Sequence, residues 1–269
     1  MQLPAEIAAK LQELGISQAP LTEHDREAFD LERLEAANSK QGELGELNCQ
    51  KCKNRGYTYT LGEQGVLITH ECECMVRRRN IRRLRVSGLM DMVARYTFDT
   101  WTTVEKWQTV ALEIAQDYVA SRSGWLLASG NSGSGKTHLC TAVCAALLDA
   151  GVDARYVLWR DMSVQAKAVV NDDESYQHLI SPLKKTKLLY IDDLFKTGGG
   201  VKPSTADIRL AFEILNSRYN DSAKLTVIST EWSLDYLIDF DEALGSRIYE
   251  RSKKHYINFA GRPNWRLQT

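Results

Sequence analysis

Eight consecutive residues, Gly130-Asn131-Ser132-Gly133-Ser134-Gly135-Lys136-Thr137, follow the pattern G-x-x-x-x-G-K-[ST], and each residue type in it has a chemical reason. Glycines let the backbone adopt positive φ, so that successive N–H groups turn inward and form an anion-binding cradle. A lysine at the end of such a cradle reaches the β- and γ-phosphates of a nucleotide, and the following hydroxyl can ligate Mg²⁺. His138 follows directly. The motif needs a strand before it and a helix after it, with the helix N-terminus adding its positive dipole end. Trp125-Leu126-Leu127-Ala128-Ser129 reads as a buried strand, and His138 to Ala150 reads as a helix closed by Gly151.

Two acids supply the second piece of chemistry. Lys187-Leu188-Leu189-Tyr190-Ile191 is an apolar run that ends in Asp192 and Asp193. In a parallel sheet the carboxyl ends of strands gather beside the phosphate loop. Asp192 is therefore expected to hold Mg²⁺ together with Thr137, and Asp193 to orient and activate an attacking water. A further strand, Lys224 to Thr230, should bring its polar end to the same place. Arg247 and Arg251, four apart in a helix predicted over Asp241 to Arg251, share one face.

Four cysteines form a separate constellation. Cys49-x-x-Cys52 and Cys72-x-Cys74 flank two short β-prone runs, Tyr57 to Thr60 and Val66 to Thr69, with a Gly62-Glu63-Gln64-Gly65 turn between them. A hairpin there would bring the pairs together, and four thiolates suit tetrahedral Zn²⁺. The second spacing is C-x-C rather than C-x-x-C, so His70 stands as an alternative ligand. A redox-active pair and an unliganded core are the competing readings.

The elements around these groups define a domain plan. The chain has 269 residues with 43% hydrophobic and 26% charged content, ordinary for a protein with a packed core. No apolar run approaches the ~20 residues that span a bilayer, and the N-terminus lacks a leader pattern, so a cytoplasmic protein is expected, with reduced thiols and no membrane contact. Net charge is −1, but residues 1–48 carry −6 and residues 49–95 carry +6. Leu3, Ile7, Leu11 and Leu14 suggest one short helix, and Thr22-Glu23-His24-Asp25 a capping box opening a second, acidic one that runs to about Ala37. Both could pack on the main domain or form a docking surface. Residues 77–85 hold six arginines, a basic helix that is either a solvated connector or a binder of nucleic-acid phosphates, with Tyr57, Tyr59 and Tyr96 available to stack on bases. Residues 1–45 are thus a helical segment, 46–76 a zinc-ribbon-like module, 77–95 a basic linker, and 96–269 a three-layer α/β domain with a mostly parallel sheet. Cys140 and Cys144, on the helix after the phosphate loop, read as core.

Taken in order, the cysteine ribbon, the basic linker, Gly130 to Thr137, Leu189 to Asp193, Phe212-x-x-Leu215-Asn216-x-Arg218-Tyr219 and Ser246-Arg247-Ile248-Tyr249-Glu250-Arg251 resemble the AAA+ ATPases. Within them the match is to the DnaC/DnaI type of bacterial and phage replicative helicase loader, in the IstB-like clade. The resemblance covers residues 49–269. It implies ATP binding and hydrolysis to ADP and phosphate, weak until assembly. Arg247 or Arg251 is the implied arginine finger acting on a neighbouring subunit, and Arg251 the first choice. Arg266, with Arg262 as the alternative, matches the family's sensor II arginine. The usual sensor I asparagine is missing from Ser229-Thr230-Glu231, and Thr230 takes that assignment. The chain stops soon after its last strand, so the expectation is of an ATPase without a helical lid. The implied partners are a hexameric replicative helicase of the DnaB type, single-stranded DNA and, with nucleotide, further copies of this chain. The rival reading within the same clade is the ATPase helper of a transposase. A small-molecule or nucleoside kinase is a more distant rival, and the paired aspartates and the Arg247/Arg251 helix argue against it.

Overall fold

The computed structural model describes residues 22–87, 90–197 and 201–267. The helix expected near residues 3–14 lies outside them. The chain divides into two compact units, with the boundary between Met75 and Val76.

In the first unit, helix α1 (Glu23–Ser39) starts at a capping box: Thr22 Oγ1 accepts from the Asp25 N–H, and the Asp25 carboxylate accepts from the Thr22 N–H at 2.9 Å. No residue of α1 is buried, and Phe29 and Leu31 stand exposed. Strands β1 (Tyr57–Leu61) and β2 (Leu67–Glu71) pair antiparallel, Tyr57 opposite Glu71 and Leu61 opposite Leu67, around a short 3₁₀ turn at Glu63–Gly65. Helix α2 (Cys74–Ser87) begins on the last cysteine and continues into the second unit.

The second unit is built on a five-stranded parallel sheet of order β4-β5-β6-β3-β7. The strands are β3 (Trp125–Gly130), β4 (Ala154–Leu158), β5 (Leu188–Asp192), β6 (Leu225–Thr230) and β7 (Tyr256–Phe259). The central strands β3, β5 and β6 are buried along their whole length, which explains why they read as unbroken apolar runs with no alternation. Alternate side chains nevertheless go to different cores. Leu126, Ala128, Tyr190 and Val227 pack with α4 (Lys106–Ser121) and α5 (Lys136–Asp149). Trp125, Leu127, Leu189, Ile191 and Ile228 pack on the opposite face with α6 (Trp159–Ala168), α7 (Asp173–Lys185), α8 (Thr205–Tyr219), α9 (Leu234–Phe240) and α10 (Glu242–Ser252). Helix, sheet and helix form three layers. Helix α3 (Met90–Arg95) precedes α4.

Two buried polar residues knit this unit. Arg218 is fully buried, and its guanidinium donates to the carbonyls of Leu183, Thr186, Lys187 and Leu225 and to Thr226 Oγ1, tying the end of α7 to the starts of β5 and β6. Burial brings its pKa down to about 10. Asn80 of α2, also fully buried, donates to Val152 O at 2.6 Å and accepts from the Ala154 N–H at 3.1 Å, acting as an extra rung at the start of β4. Arg77 pairs with Asp149 and Arg78 is buried. This stretch of the arginine-rich helix is therefore packed into the α/β unit, where the sequence offered a solvated connector or a binder of nucleic-acid phosphates. Helices α7 and α9 were not anticipated from the sequence.

Candidate nucleotide site and cysteine cluster

The residues after β3 turn sharply. Gly130 sits at φ 127°, and a Cβ there would run into the backbone of Phe259, the last residue of neighbouring β7, and of Ala260 after it, so only glycine fits. Gly135, at φ 103°, is the N-cap of α5 and has no side chain to cap it. The first N–H groups of that helix therefore remain open to an anion. Lys136 folds back, its ammonium donating to the carbonyls of Gly130 at 2.8 Å and Asn131 at 2.7 Å. Burial holds its pKa below the usual lysine value, against the pull of Glu231 and Asp193. Ser134 Oγ donates to Asn131 O, the Asn131 amide to Arg262 O, and the Trp265 N–H to Gly133 O, which fixes the loop from both sides.

Asp192, at the end of β5, is buried and collects four hydroxyl donors: Thr137, Tyr190 and Ser229 on Oδ1, and Tyr156 on Oδ2. The Thr137 contact, at 3.3 Å, joins the two residues expected to share a metal ion. Asp193 adopts φ 54°, donates its N–H to Ser229 Oγ and directs its carboxylate at Lys196 Nζ, 2.9 Å away.

A cavity of about 450 Å³ opens over these groups. Ser132, Gly133, Gly135, Lys136, Thr137, His138, Asp193, Lys196, Glu231 and Arg266 line it together with Met92, Tyr96 and Trp101. Tyr96 and Trp101 flank His138, with ring centroids 4.9 and 5.3 Å from its ring. His138 Nε2 lies 3.0 Å from Thr97 O and 3.2 Å from Thr100 Oγ1. Aromatic walls and a phosphate cradle in one cleft are the chemical requirements of a nucleotide. Sequence reasoning gave Tyr96 a different task and missed Met92 and Trp101. They come from α3 and the irregular stretch after it, where no periodicity marks a binding face.

The predicted residues separate into those the fold brings to this cleft and those it does not. Thr230 is fully buried, its hydroxyl donating to Leu194 O at 2.8 Å and accepting from the Trp232 N–H. That hydroxyl is turned into the backbone, and the residue of β6's end that lines the cavity is Glu231. Arg266 lines the cavity, whereas the Arg262 guanidinium lies 5.0 Å over the Trp107 ring, away from it. Arg247 and Arg251, both on α10, do not line it. The Arg247 guanidinium stacks on Phe212 and Tyr219, and Nε and Nη2 of Arg251 are buried without a hydrogen-bond partner. Cys140 and Cys144 are core residues whose thiol pKa values burial pushes up.

In the first unit the Sγ atoms of Cys49, Cys52, Cys72 and Cys74 all lie within 4.8 Å of one another, Cys49 to Cys72 at 3.8 Å and Cys52 to Cys74 at 3.5 Å. Zinc–sulfur bonds of about 2.3 Å in a tetrahedron set sulfurs roughly 3.8 Å apart, so the cluster fits the ion. Left-handed backbone at Lys53, Asn54 and Gly56 wraps the first pair, and the Gly56 N–H donates to Cys52 Sγ at 3.4 Å. Burial pushes the Cys52 thiol up, but that N–H and the neighbouring thiols outweigh it and bring the pKa to about 6. His70 is not in the cluster and instead bonds Thr60 across the hairpin at 2.8 Å.

Residues 33–259 match the family of IstB-like ATP binding proteins. The chain belongs to that family. This IstB-like protein is 30% identical over 233 residues to the phage-like element PBSX protein XkdC of Bacillus subtilis, covering 82% of this chain and 85% of XkdC. It is 25% identical to the replicative helicase loader DnaC of Escherichia coli, over 71% of this chain and 77% of DnaC. It is 29% identical to a putative insertion sequence ATP-binding protein of Sinorhizobium fredii, over 57% of this chain and 50% of that protein. A crystal structure of the DnaC helicase loader shares the fold at a TM-score of 0.52 and 23% identity, over 62% of this chain and 97% of that one. This IstB-like protein is an AAA+ ATPase of the DnaC/IstB type. Among the described residues, no helix is long and apolar enough to cross a membrane.

Proposed function

We propose that this ATPase delivers a hexameric replicative DNA helicase onto single-stranded DNA, using ATP binding to assemble and hydrolysis to release. The observation that carries this reading is the phosphate loop, Asp192 and Asp193 assembled in one domain whose similarity to a replicative helicase loader extends over 77% of that protein. The α/β unit binds ATP, with Gly130 to His138 around the phosphates, the base against the wall formed by Tyr96, His138 and Trp101, and Arg266 beside them. Thr137 and Asp192 hold Mg²⁺, which neutralises charge on the β- and γ-phosphates when bound. Lys136 leaves its carbonyls for phosphate oxygens. Asp193 accepts a proton from the attacking water. Arg247 and Arg251 face a neighbouring subunit's site, which explains their absence from their own and makes turnover weak until copies assemble. The four cysteines hold a structural zinc that folds the first unit, and the acidic α1 contacts the helicase. The remaining surface arginines of α2 hold DNA phosphates.

The test is light scattering after gel filtration of this protein mixed with its host's replicative helicase, with and without ATP–Mg²⁺. A complex that strengthens with ATP is expected, and Arg251→Ala should weaken the ATP-dependent part. Absence of any complex under both conditions would overturn the loader reading. The second reading, an ATPase helper of a transposase, draws on the family match and the insertion-sequence relative; it would then be tested by ATP-dependent co-elution with a transposase.

A further inference from the structure

One cation at the site is not accounted for by the reading above. Lys196 Nζ lies 2.9 Å from Asp193 Oδ2 and 3.0 Å from Glu231 Oε1, bridging two carboxylates that both line the nucleotide cavity, and Lys196 lines it too. Its placement is built and not incidental. The turn after β5 carries left-handed backbone at Asp193 and at the bulky, buried Phe195, a conformation that persists only where surroundings enforce it. Here the Leu194 N–H donates to Ser229 O, Leu194 O accepts from Thr230, Phe195 O accepts from the Trp232 indole, and the Lys196 N–H donates to Asp193 O. The Phe195 ring packs edge-on against Trp159 and Phe240. The turn therefore holds Lys196 beside Asp193 whatever its flexible stem prefers. Glu231, meanwhile, lines the same cavity as Ser132 and Lys136 of the phosphate loop, so the ammonium also sits beside the cradle.

We propose that Lys196 is a positioning residue that reports the γ-phosphate. Without a γ-phosphate it occupies the Asp193 carboxylate, the group needed to take a proton from water. When ATP enters, two carboxylates and the γ-phosphate crowd the same wall of the cavity. The ammonium then moves from Asp193 to a γ-phosphate oxygen, offsetting that repulsion and leaving Asp193 free to accept the hydrogen bond of the attacking water. ADP brings no γ-phosphate, so the Lys196–Asp193 pair stays closed. The chemical step is unchanged: water oxygen bonds to phosphorus, the bond to the ADP oxygen breaks, and the water proton goes to Asp193.

This inference rests on the cavity being the ATP site, and that premise has its own check: the full-length wild type must bind a non-hydrolysable ATP analogue with Mg²⁺. If it does not, the site assignment fails before Lys196 is tested. Given binding, calorimetry compares the analogue with ADP for wild type, Lys196→Met and Lys196→Arg. A linkage of this kind is worth roughly 5- to 150-fold. Lys196→Met, which keeps the apolar stem, is expected to weaken the ATP analogue about tenfold while ADP affinity moves less than about twofold, and to lower kcat more than it raises KM for ADP-forming turnover. Lys196→Arg, which keeps the charge, should restore the preference for the ATP analogue. Equal losses for both nucleotides, an unchanged ratio, or failure of Lys196→Arg to restore it while its thermal unfolding matches wild type would each overturn the proposal.

Discussion

The two units of this chain reach a folded state by different means. In the α/β unit, two apolar clusters sandwich a parallel sheet whose central strands are buried end to end. In the first unit, the buried hydrophobic residues among those described are Cys52, Cys72 and Cys74, joined by partly buried Leu47, Cys49 and Met75. The contrast is between burial spread over dozens of side chains and a unit whose buried residues converge on four sulfur atoms. A small unit with so little apolar core falls short of the entropy cost of ordering its chain unless something else holds it.

The largest expected effect follows directly. Stripping metal with a strong chelator should unfold the first unit, because binding energies of about 10–16 kcal/mol for structural zinc exceed what six partly apolar side chains contribute. The reading is amide NMR dispersion together with nucleotide affinity on the same sample. Signals from residues 22–75 should collapse while the ATPase site still binds nucleotide. Survival of the hairpin signals without metal would dissolve the comparison.

Next in size is the clasp at the heart of the other unit. Arg218→Met keeps volume but removes the guanidinium from the Leu183, Thr186 and Leu225 carbonyls and Thr226 Oγ1 in a dry interior, while Lys187 O keeps its bond from the Leu225 N–H. A loss of about 3–5 kcal/mol is expected in urea unfolding, with no effect on zinc content. A change under about 1 kcal/mol would mean that water or a backbone shift replaces the guanidinium. Smaller again in free energy, though larger in activity, is Lys136→Ala. It should cut hydrolysis by at least about a hundredfold through loss of charge at the developing phosphate, while the nucleotide-free chain melts near the wild-type temperature.

What could be read from the sequence tracks this same contrast. Motifs in which every residue type is dictated by local chemistry were legible: Gly130 to Thr137 because backbone torsion and a lysine define it, the cysteine pairs because spacing and a hairpin define them. Where a side chain's direction depends on tertiary packing, the sequence was mute. Thr230 and Glu231 are neighbours at the end of one strand, and only the Leu194 carbonyl and the turn beneath it decide that the hydroxyl goes inward and the carboxylate faces the cleft. Arg262 and Arg266 are separated in the same way, by an indole that captures one of them. Helix α7 was hidden by its own composition. Asp172 caps it through the Ser175 N–H, but Pro182 interrupts the pattern one turn before the end, where its missing N–H reads as a breaker. The part of the cavity lining supplied by Met92, Tyr96 and Trp101 was illegible for the plainest reason, since these residues do not recur with any period.

The smallest effect sharpens the comparison at the seam between packing and chemistry, where His138 belongs to the cleft wall and to the fold at once. Burial lowers its pKa from the ordinary 6.5, and the bond to Thr97 O only partly opposes this. A histidine whose folded pKa is depressed contributes stability that is complete above about pH 6.5. That contribution declines as pH falls below this value, because the unfolded chain takes up the proton first. The α/β unit should therefore lose stability as pH falls below about 6.5 in a way that His138→Gln, which keeps a donor for Thr97 O and does not titrate, reduces. Because His138 is only half-buried, solvent screening limits the change to less than about 1 kcal/mol. Thermal melts of the nucleotide-free protein at half-unit pH steps measure it. If wild type and His138→Gln show the same pH slope, protonation of His138 is balanced elsewhere and the ring serves only as packing between Tyr96 and Trp101. If the variant's slope is flatter, the same proton uptake should change nucleotide affinity at acid pH, since the ring lines the cavity proposed to hold the nucleotide.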